Sequence, residues 1–202
     1  MMHVKRPVVA GMFYPGTAHE LSATLDELMQ TASVTSKERP YALIAPHAGY
    51  QYSGPVAASA YATLAPWADR IRRVVVLAPS HRLGFRGIAT SSADVFQTPL
   101  GDIPVDCAAV KQLSTMSGVL RLDEAFAQEH ALEVQLPFLQ TVLAEFELVP
   151  LVVGEADSED VSRIIDTLLS PETLIVVSSD LSHFLEYSSC QRRDRSTSAL
   201  IE

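Results

Sequence analysis

The sequence predicts a single α/β domain with a mainly parallel or mixed central sheet and helices on both faces. Three observations predict it. Short continuous runs of Val, Ile, Leu and Ala recur along the chain, helical patterns fill the intervals between them, and no linker divides the 202 residues. Apolar runs that lack polar alternation belong to strands covered on both sides, the habit of parallel sheets.

Strands are expected at residues 41–45, 74–78, 148–153 and 174–177, each rich in β-branched or aliphatic side chains. The first helix is expected over residues 17–30. Thr17 and Glu20 form a capping box there, and Leu21, Leu25 and Leu28 make an apolar stripe. Further helices are expected over residues 54–64, 106–116, 124–143 and 158–169, with Asp106 and Ser158 as N-caps. Residues 94–106 carry the short turns of an excursion or hairpin. Residues 193–202 read as a helix in progress, with Ala199, Leu200 and Ile201 apolar and no cap or breaker, so the chain is expected to be incomplete. Ile44-Ala45-Pro46-His47 echoes Leu77-Ala78-Pro79-Ser80-His81, an echo too short to establish a duplication.

Composition narrows the function classes. With 48% hydrophobic and 19% charged residues the chain can build a sizeable core, which excludes a disordered or fibrous protein. A net charge of -9 and the lack of a basic stripe exclude a phosphate-backbone binder, so nucleic acid is not an expected partner. Cys107 and Cys190 match no zinc-knuckle spacing and are expected to be reduced, structural thiols in a cytoplasmic protein. The first 11 residues lack the apolar stretch and cleavage site of a secretory signal, so the N-terminus reads as mature. No apolar run approaches the roughly 20 residues that cross a bilayer, so no membrane partner is expected. Gly-x-x-x-x-Gly-Lys and Gly-x-Gly-x-x-Gly are absent, which leaves nucleotide cofactors unindicated.

The chemistry gathers at histidines. His47, His81 and His183 each follow an expected strand, and in open α/β sheets the carboxyl ends of strands converge on the ligand crevice. Neutral imidazole suits Fe, Zn and Cu, while carboxylates orient such rings from behind, so a histidine-rich metal site with Asp180 follows. A lone histidine after a strand is ordinarily a hydrogen-bonded loop residue; three in equivalent positions change that reading. Pro46 and Pro79 fix the backbone just ahead of His47 and His81, although Pro also merely ends strands. His130 sits in Gln128-Glu129-His130-Ala131-Leu132-Glu133, on an expected helix that puts Glu129 and Glu133 one turn apart. That face is either a solvated acidic surface or a pocket wall, and the apolar Val134 to Phe138 that follow favour the pocket. His3 and His19 are expected at the surface. Ser80, Ser178, Ser179 and Ser182 beside His81, Asp180 and His183 suggest a serine nucleophile, but no Gly-x-Ser-x-Gly elbow exists and helix capping accounts for them.

Several of these residues form ordered motifs. Arg6-Pro7-Val8-Val9-Ala10-Gly11-Met12-Phe13-Tyr14-Pro15 and Ala45-Pro46-His47-Ala48-Gly49-Tyr50 come first. Ser53-Gly54, Pro79-Ser80-His81, Glu129-His130-Ala131-Leu132-Glu133 leading into Gln135-Leu136-Pro137, and Ser179-Asp180-Leu181-Ser182-His183-Phe184 follow. The chain resembles the Memo family over nearly its whole length; bacterial and archaeal members are also called AmmeMemoRadiSam system protein B. That family is similar to the LigB-like class III extradiol dioxygenases.

The resemblance implies a Memo-like α/β fold with a divalent ion, Fe(II) first and Zn or Cu as alternatives, held by His47 and His81. It implies His183 as catalytic acid or base, accompanied by Asp180. His130, Glu129, Tyr50 and Tyr52 are expected to line the substrate pocket, with Phe85 and Phe184 as further aromatic walls. The family's third ligand is a cysteine in a Cys-Gly motif downstream of the Asp-x-x-His segment, beyond the end of this chain. Cys190 does not map there; Asp180 or a glutamate near His130 could substitute as a carboxylate ligand. Three readings stay open: oxidative cleavage of a catechol-like small molecule, a non-enzymatic (phospho)peptide-binding module using Arg82 and Arg86, and zinc-dependent hydrolysis.

Overall fold

The apolar run at residues 74–78 lies at the centre of a six-stranded sheet in the computed structural model, which describes residues 2–34 and 38–201. Met1 and Glu202, the outer ends of the N-terminal stretch and of the last expected helix, lie outside the described residues. In chain order the elements begin with β1 (Val4–Lys5), α1 (Ala18–Gln30), β2 (Ala42–Ala45), α2 (Tyr50–Ala62), a 3-10 turn (Ala65–Arg70), β3 (Arg73–Pro79) and β4 (Ile88–Thr90). Next come β5 (Val95–Thr98), β6 (Gly101–Pro104), α3 (Cys107–Leu113), β7 (Val119–Arg121), α4 (Glu124–Ala127) and a second 3-10 turn (Glu133–Gln135). The chain continues through α5 (Leu136–Val142), β8 (Glu147–Val153), α6 (Ser158–Leu168), β9 (Thr173–Ser178) and α7 (Tyr187–Ile201).

The large sheet has the order β2-β9-β3-β8-β4-β7. Its first four strands run parallel, β4 is antiparallel to β8, and β7 is parallel to β4, so the sheet is mixed. Alternate side chains of β3 point to opposite faces. Val74 and Val76 join a core with Leu21, Leu25, Tyr61 and Phe138 from α1, α2 and α5. Val75 and Leu77 join Leu113, Ile164 and Leu168 from α3 and α6. Burying each such aliphatic side chain contributes about 1.5–3 kcal/mol. Residues 94–106 contain the expected hairpin, β5 against β6, and β1 extends it into a three-stranded sheet.

Three local expectations are corrected. Residues 124–143 do not form one helix: Gln128 leaves helical geometry, and α4 and α5 are separated by an irregular stretch and a 3-10 turn. Pro137 stands in the first turn of α5, where its missing N–H costs nothing. Glu129 and Glu133 are therefore not neighbours on a solvated helix face; both are buried. Helix α2 starts at Tyr50 rather than residue 54, because the Gly49 carbonyl accepts from the N–H groups of Tyr52 and Ser53. Asp157, with extended backbone, rather than Ser158, precedes the first turn of α6. At α1 the Thr17 hydroxyl caps Glu20 N–H at 3.3 Å and donates to the Glu20 carboxylate at 2.7 Å. No helix among the described residues is long and apolar enough to cross a membrane.

Candidate metal centre

Strands β2, β9 and β3 are adjacent and parallel, so their carboxyl ends open on one edge of the sheet. His47 leaves β2, Asp180 leaves β9 and His81 leaves β3, which brings three distant segments together. The His47 N–H donates to Asp180 Oδ1 at 2.6 Å, and the His47 side chain is buried.

Hydrogen bonding fixes the ring of His47. Ser178, the last residue of β9, donates its only hydroxyl proton to the Ala131 carbonyl at 2.7 Å. It must therefore accept from His47 Nδ1 at 2.9 Å, as it accepts from Gln135 Nε2 at 2.8 Å. The proton assigned by this network sits on Nδ1 and leaves the Nε2 lone pair free.

His81 reaches the same state by another route. Glu129 Oε2 accepts the His81 N–H at 2.6 Å, and Oε1 lies 2.9 Å from His81 Nδ1 and 2.9 Å from the Ala131 amide nitrogen. Burial pushes the Glu129 carboxyl up, but hydrogen bonds from Ala131 and His81 outweigh that and hold it below the usual carboxylate range. An ionised carboxylate only accepts, so His81 Nδ1 carries a proton and Nε2 is the ring nitrogen left to face a ligand.

His130 completes the group. Its ring centroid lies 4.7 Å from that of His81 and 5.6 Å from that of His47, and Phe13 covers it at 4.7 Å. Its Nδ1 approaches Glu129 Oε1 to 3.3 Å, but out of line, so this buried nitrogen has no hydrogen-bond partner among the described residues. One nitrogen from each of His47, His81 and His130 lies within 4.8 Å of the other two. Burial, reinforced by the neighbouring imidazoles, holds His47 below the usual histidine range; burial likewise lowers His130 against the opposing pull of Glu129. Three imidazoles whose ring nitrogens approach one another this closely, with a carboxylate behind them, fit a divalent metal ion.

The remaining expected residues are distributed around this cluster. Asp180 Oδ2 lies 3.6 Å from His47 Nε2 and 3.6 Å from His183 Nε2, so the carboxylate stands between the cluster and a half-exposed ring. His183 Nδ1 donates to the Leu181 carbonyl at 3.0 Å. Leu181 and Phe184, flanking His183, adopt left-handed φ angles of 61° and 56°, a conformation that costs about 1–2 kcal/mol per side-chain-bearing residue. Tyr50 packs in the core between Tyr14 and Phe138, its hydroxyl donating to the Val134 carbonyl at 2.8 Å. Tyr52 and Phe184 are exposed, and Phe85 packs against the core. The Glu129 oxygens are engaged with protein N–H groups rather than open to a ligand. Arg86 pairs with Glu155, and Cys190 contacts Ser182 and Asp194, away from the three histidines.

Sequence reasoning missed Ser178 and Gln135 as orienting groups, Phe13 as the ring covering His130, and Glu133 as an anchor. Glu133 accepts from Val8 N–H at 2.7 Å, Val9 N–H at 2.9 Å and the Tyr14 hydroxyl at 2.7 Å. Partners more than a hundred residues apart leave no local pattern; the motif strings around them were the available signal. A cleft of about 680 Å³ lined by Leu100, Ile103, Leu143 and Phe146 lies at the opposite, amino ends of β3 and β8 and contains none of the histidines.

Comparison with known proteins assigns the family. Residues 5–202 match the Memo family, described as "Memo-like protein". A MEMO1 family protein of Nitrosopumilus maritimus is 35% identical, with the match covering 98% of this chain and 74% of the relative. One from Methanopyrus kandleri is 34% identical over 95% of this chain and 73% of the relative, and one from Aquifex aeolicus is 35% identical over 96% and 72%. A family match spanning the histidine-bearing strands, on an α/β fold with a mixed sheet, places this chain in the Memo family.

Proposed function

We propose that this chain is a divalent-metal protein in which His47, His81 and His130 hold one ion and Asp180 and His183 handle protons at its open side. The observation that supports this reading is the convergence of three imidazoles, one ring nitrogen of each lying within 4.8 Å of the other two. A bound divalent ion would supply Lewis-acid activation of an oxygen ligand. His183, with Nδ1 committed to the Leu181 carbonyl, has Nε2 available to take a proton from a ligand hydroxyl and return it to solvent. Asp180, 3.6 Å away, steadies the imidazolium that results.

Fe(II) and oxidative cleavage of a catechol-like small molecule follow from the likeness to extradiol dioxygenases. The Asp180 carboxylate beside His47 Nε2 supports them, since non-haem iron sites combine two histidines with a carboxylate. A donor set of three imidazoles also suits zinc, which favours metal-assisted hydrolysis as the second reading. A phosphopeptide module would rest on Arg82, whose charge reaches His130, since Arg86 pairs with Glu155. The free thiols of Cys107 and Cys190 fit a reducing, cytoplasmic setting.

Oxygen consumption by the anaerobically Fe(II)-loaded protein with a catechol panel tests the oxidative reading. Uptake that His183→Ala slows supports it. No uptake with Fe(II), together with ester or phosphoester cleavage by the Zn(II)-loaded protein, replaces it with the hydrolytic one.

A further inference from the structure

We propose that Glu129 is the positioning residue of the histidine cluster, one buried carboxylate that sets the ring orientation and tautomer of His81 and favours the same tautomer in His130. The inference deepens the metal-centre reading and rests on it.

Glu129 reaches the cluster from an irregular stretch between α4 and the second 3-10 turn, where its backbone is free of helix pairing. Its Oε2 holds the His81 backbone through the N–H at 2.6 Å, while Oε1 holds the His81 ring through Nδ1 at 2.9 Å. Two bonds from one carboxylate to the backbone and ring of the same residue leave His81 little rotational freedom, although its side chain is 36% exposed. Exposure of that degree would otherwise allow several rotamers.

The same Oε1 lies 3.3 Å from His130 Nδ1. A deprotonated Nδ1 would set its lone pair against an anionic oxygen, whereas Nδ1–H is attracted to it even out of line. Glu129 therefore favours the proton on Nδ1 in both rings and leaves both Nε2 lone pairs for a metal. The His81 and His130 rings stack, 29° apart with centroids at 4.7 Å, so the same Oε1 lies near the Nδ1 of both. A third bond, from the Ala131 N–H to Oε1 at 2.9 Å, fixes the carboxylate itself. Ala131 also accepts from Ser178, which orients His47, so the three rings are tied through one short segment.

Glu133 provides the control. It is a buried carboxylate four residues on with three hydrogen bonds of its own, all to the N-terminal segment and none to a histidine. A role limited to stability predicts that Glu129→Gln and Glu133→Gln behave alike; a positioning role predicts that they differ.

The experiment pairs nitrogen-15 NMR of the histidine rings in the metal-free full chain with Zn(II) competition titration of wild type, Glu129→Gln and Glu133→Gln. Wild type is expected to carry the proton on Nδ1 of His81 and His130. Glu129→Gln should shift both rings toward mixed tautomers and weaken Zn(II) binding about 10–100-fold, while Glu133→Gln leaves tautomers and affinity unchanged. Wild-type rings protonated on Nε2, unaltered tautomers and affinity in Glu129→Gln, or equal loss of affinity in both variants would overturn the proposal. Should Glu129→Gln fail to fold, the wild-type tautomers still decide it. A wild type with the expected tautomers but no Zn(II) uptake would instead sink the metal reading, leaving Glu129 as the group that orients the rings.

Discussion

Ser178 Oγ lies 2.9 Å from His47 Nδ1 while giving its own proton to Ala131, so a single hydroxyl at the end of one strand dictates which nitrogen of a ring just past the adjacent strand stays free. Removing that hydroxyl would strand His47 Nδ1 in a buried site. Ser178→Ala is expected to cost about 1–3 kcal/mol in urea unfolding, the penalty of an unpaired buried donor, and to weaken metal binding in the same variant. Unchanged stability and affinity would show that the hydroxyl orients nothing.

Glu133 anchors the N-terminal segment from 119 or more residues away in sequence, accepting from two backbone amides and one tyrosine. Glu133→Ala is expected to lower stability by about 3 kcal/mol, since buried donors to a charged acceptor lose their partner. Limited proteolysis should then cut within residues 8–14 faster than in wild type.

Acid should loosen the metal-free protein. Burial holds His47 and His130 below the usual histidine range, so the unfolded chain takes up protons at these positions before the folded one does. Their contribution to stability is constant above about pH 6.5, the unfolded value, and declines as pH falls below it. The urea midpoint should therefore be level just above neutrality and drop on acidification, with a shallower drop in His47→Asn. An equal drop in the variant would contradict the assignment.

At Gly87 the backbone has φ +95°, and an added Cβ would stand 2.3 Å from the Gly118 carbonyl oxygen. That oxygen accepts from Ile88 N–H at 2.8 Å, within the pairing of β4 and β7. Gly87→Ala is expected to cost about 1–3 kcal/mol, read as a lower calorimetric transition temperature; an unchanged transition would show that this edge of the sheet yields freely.

The parts of the fold legible in the sequence were those with a strong local cause. Residues 74–78 and 148–153 lie in strands buried on both faces and so lack polar alternation, while Thr17 and the leucine stripe mark α1. The three-residue strands β4 and β7 owe their existence to pairing with β8 and with each other, which no local pattern records. Residues 124–143 carry apolar spacing that suits one helix, whereas Gln128 leaves helical geometry and Pro137 stands in the first turn of the separate α5. His47 and His81 were legible from their place after strands. His130 was visible as a residue but not in its role, because its position depends on the break in that helix and on Glu129 reaching His81 across 48 positions.

The measurement that tests the central claim most directly is metal analysis of anaerobically reconstituted protein in wild type and in His47→Ala, His81→Ala and His130→Ala, each checked for folding by circular dichroism. The account predicts one equivalent of divalent metal in the wild type and its loss in all three folded variants. A wild type that stays metal-free after reconstitution, or a His130→Ala variant that keeps its full equivalent, would contradict it.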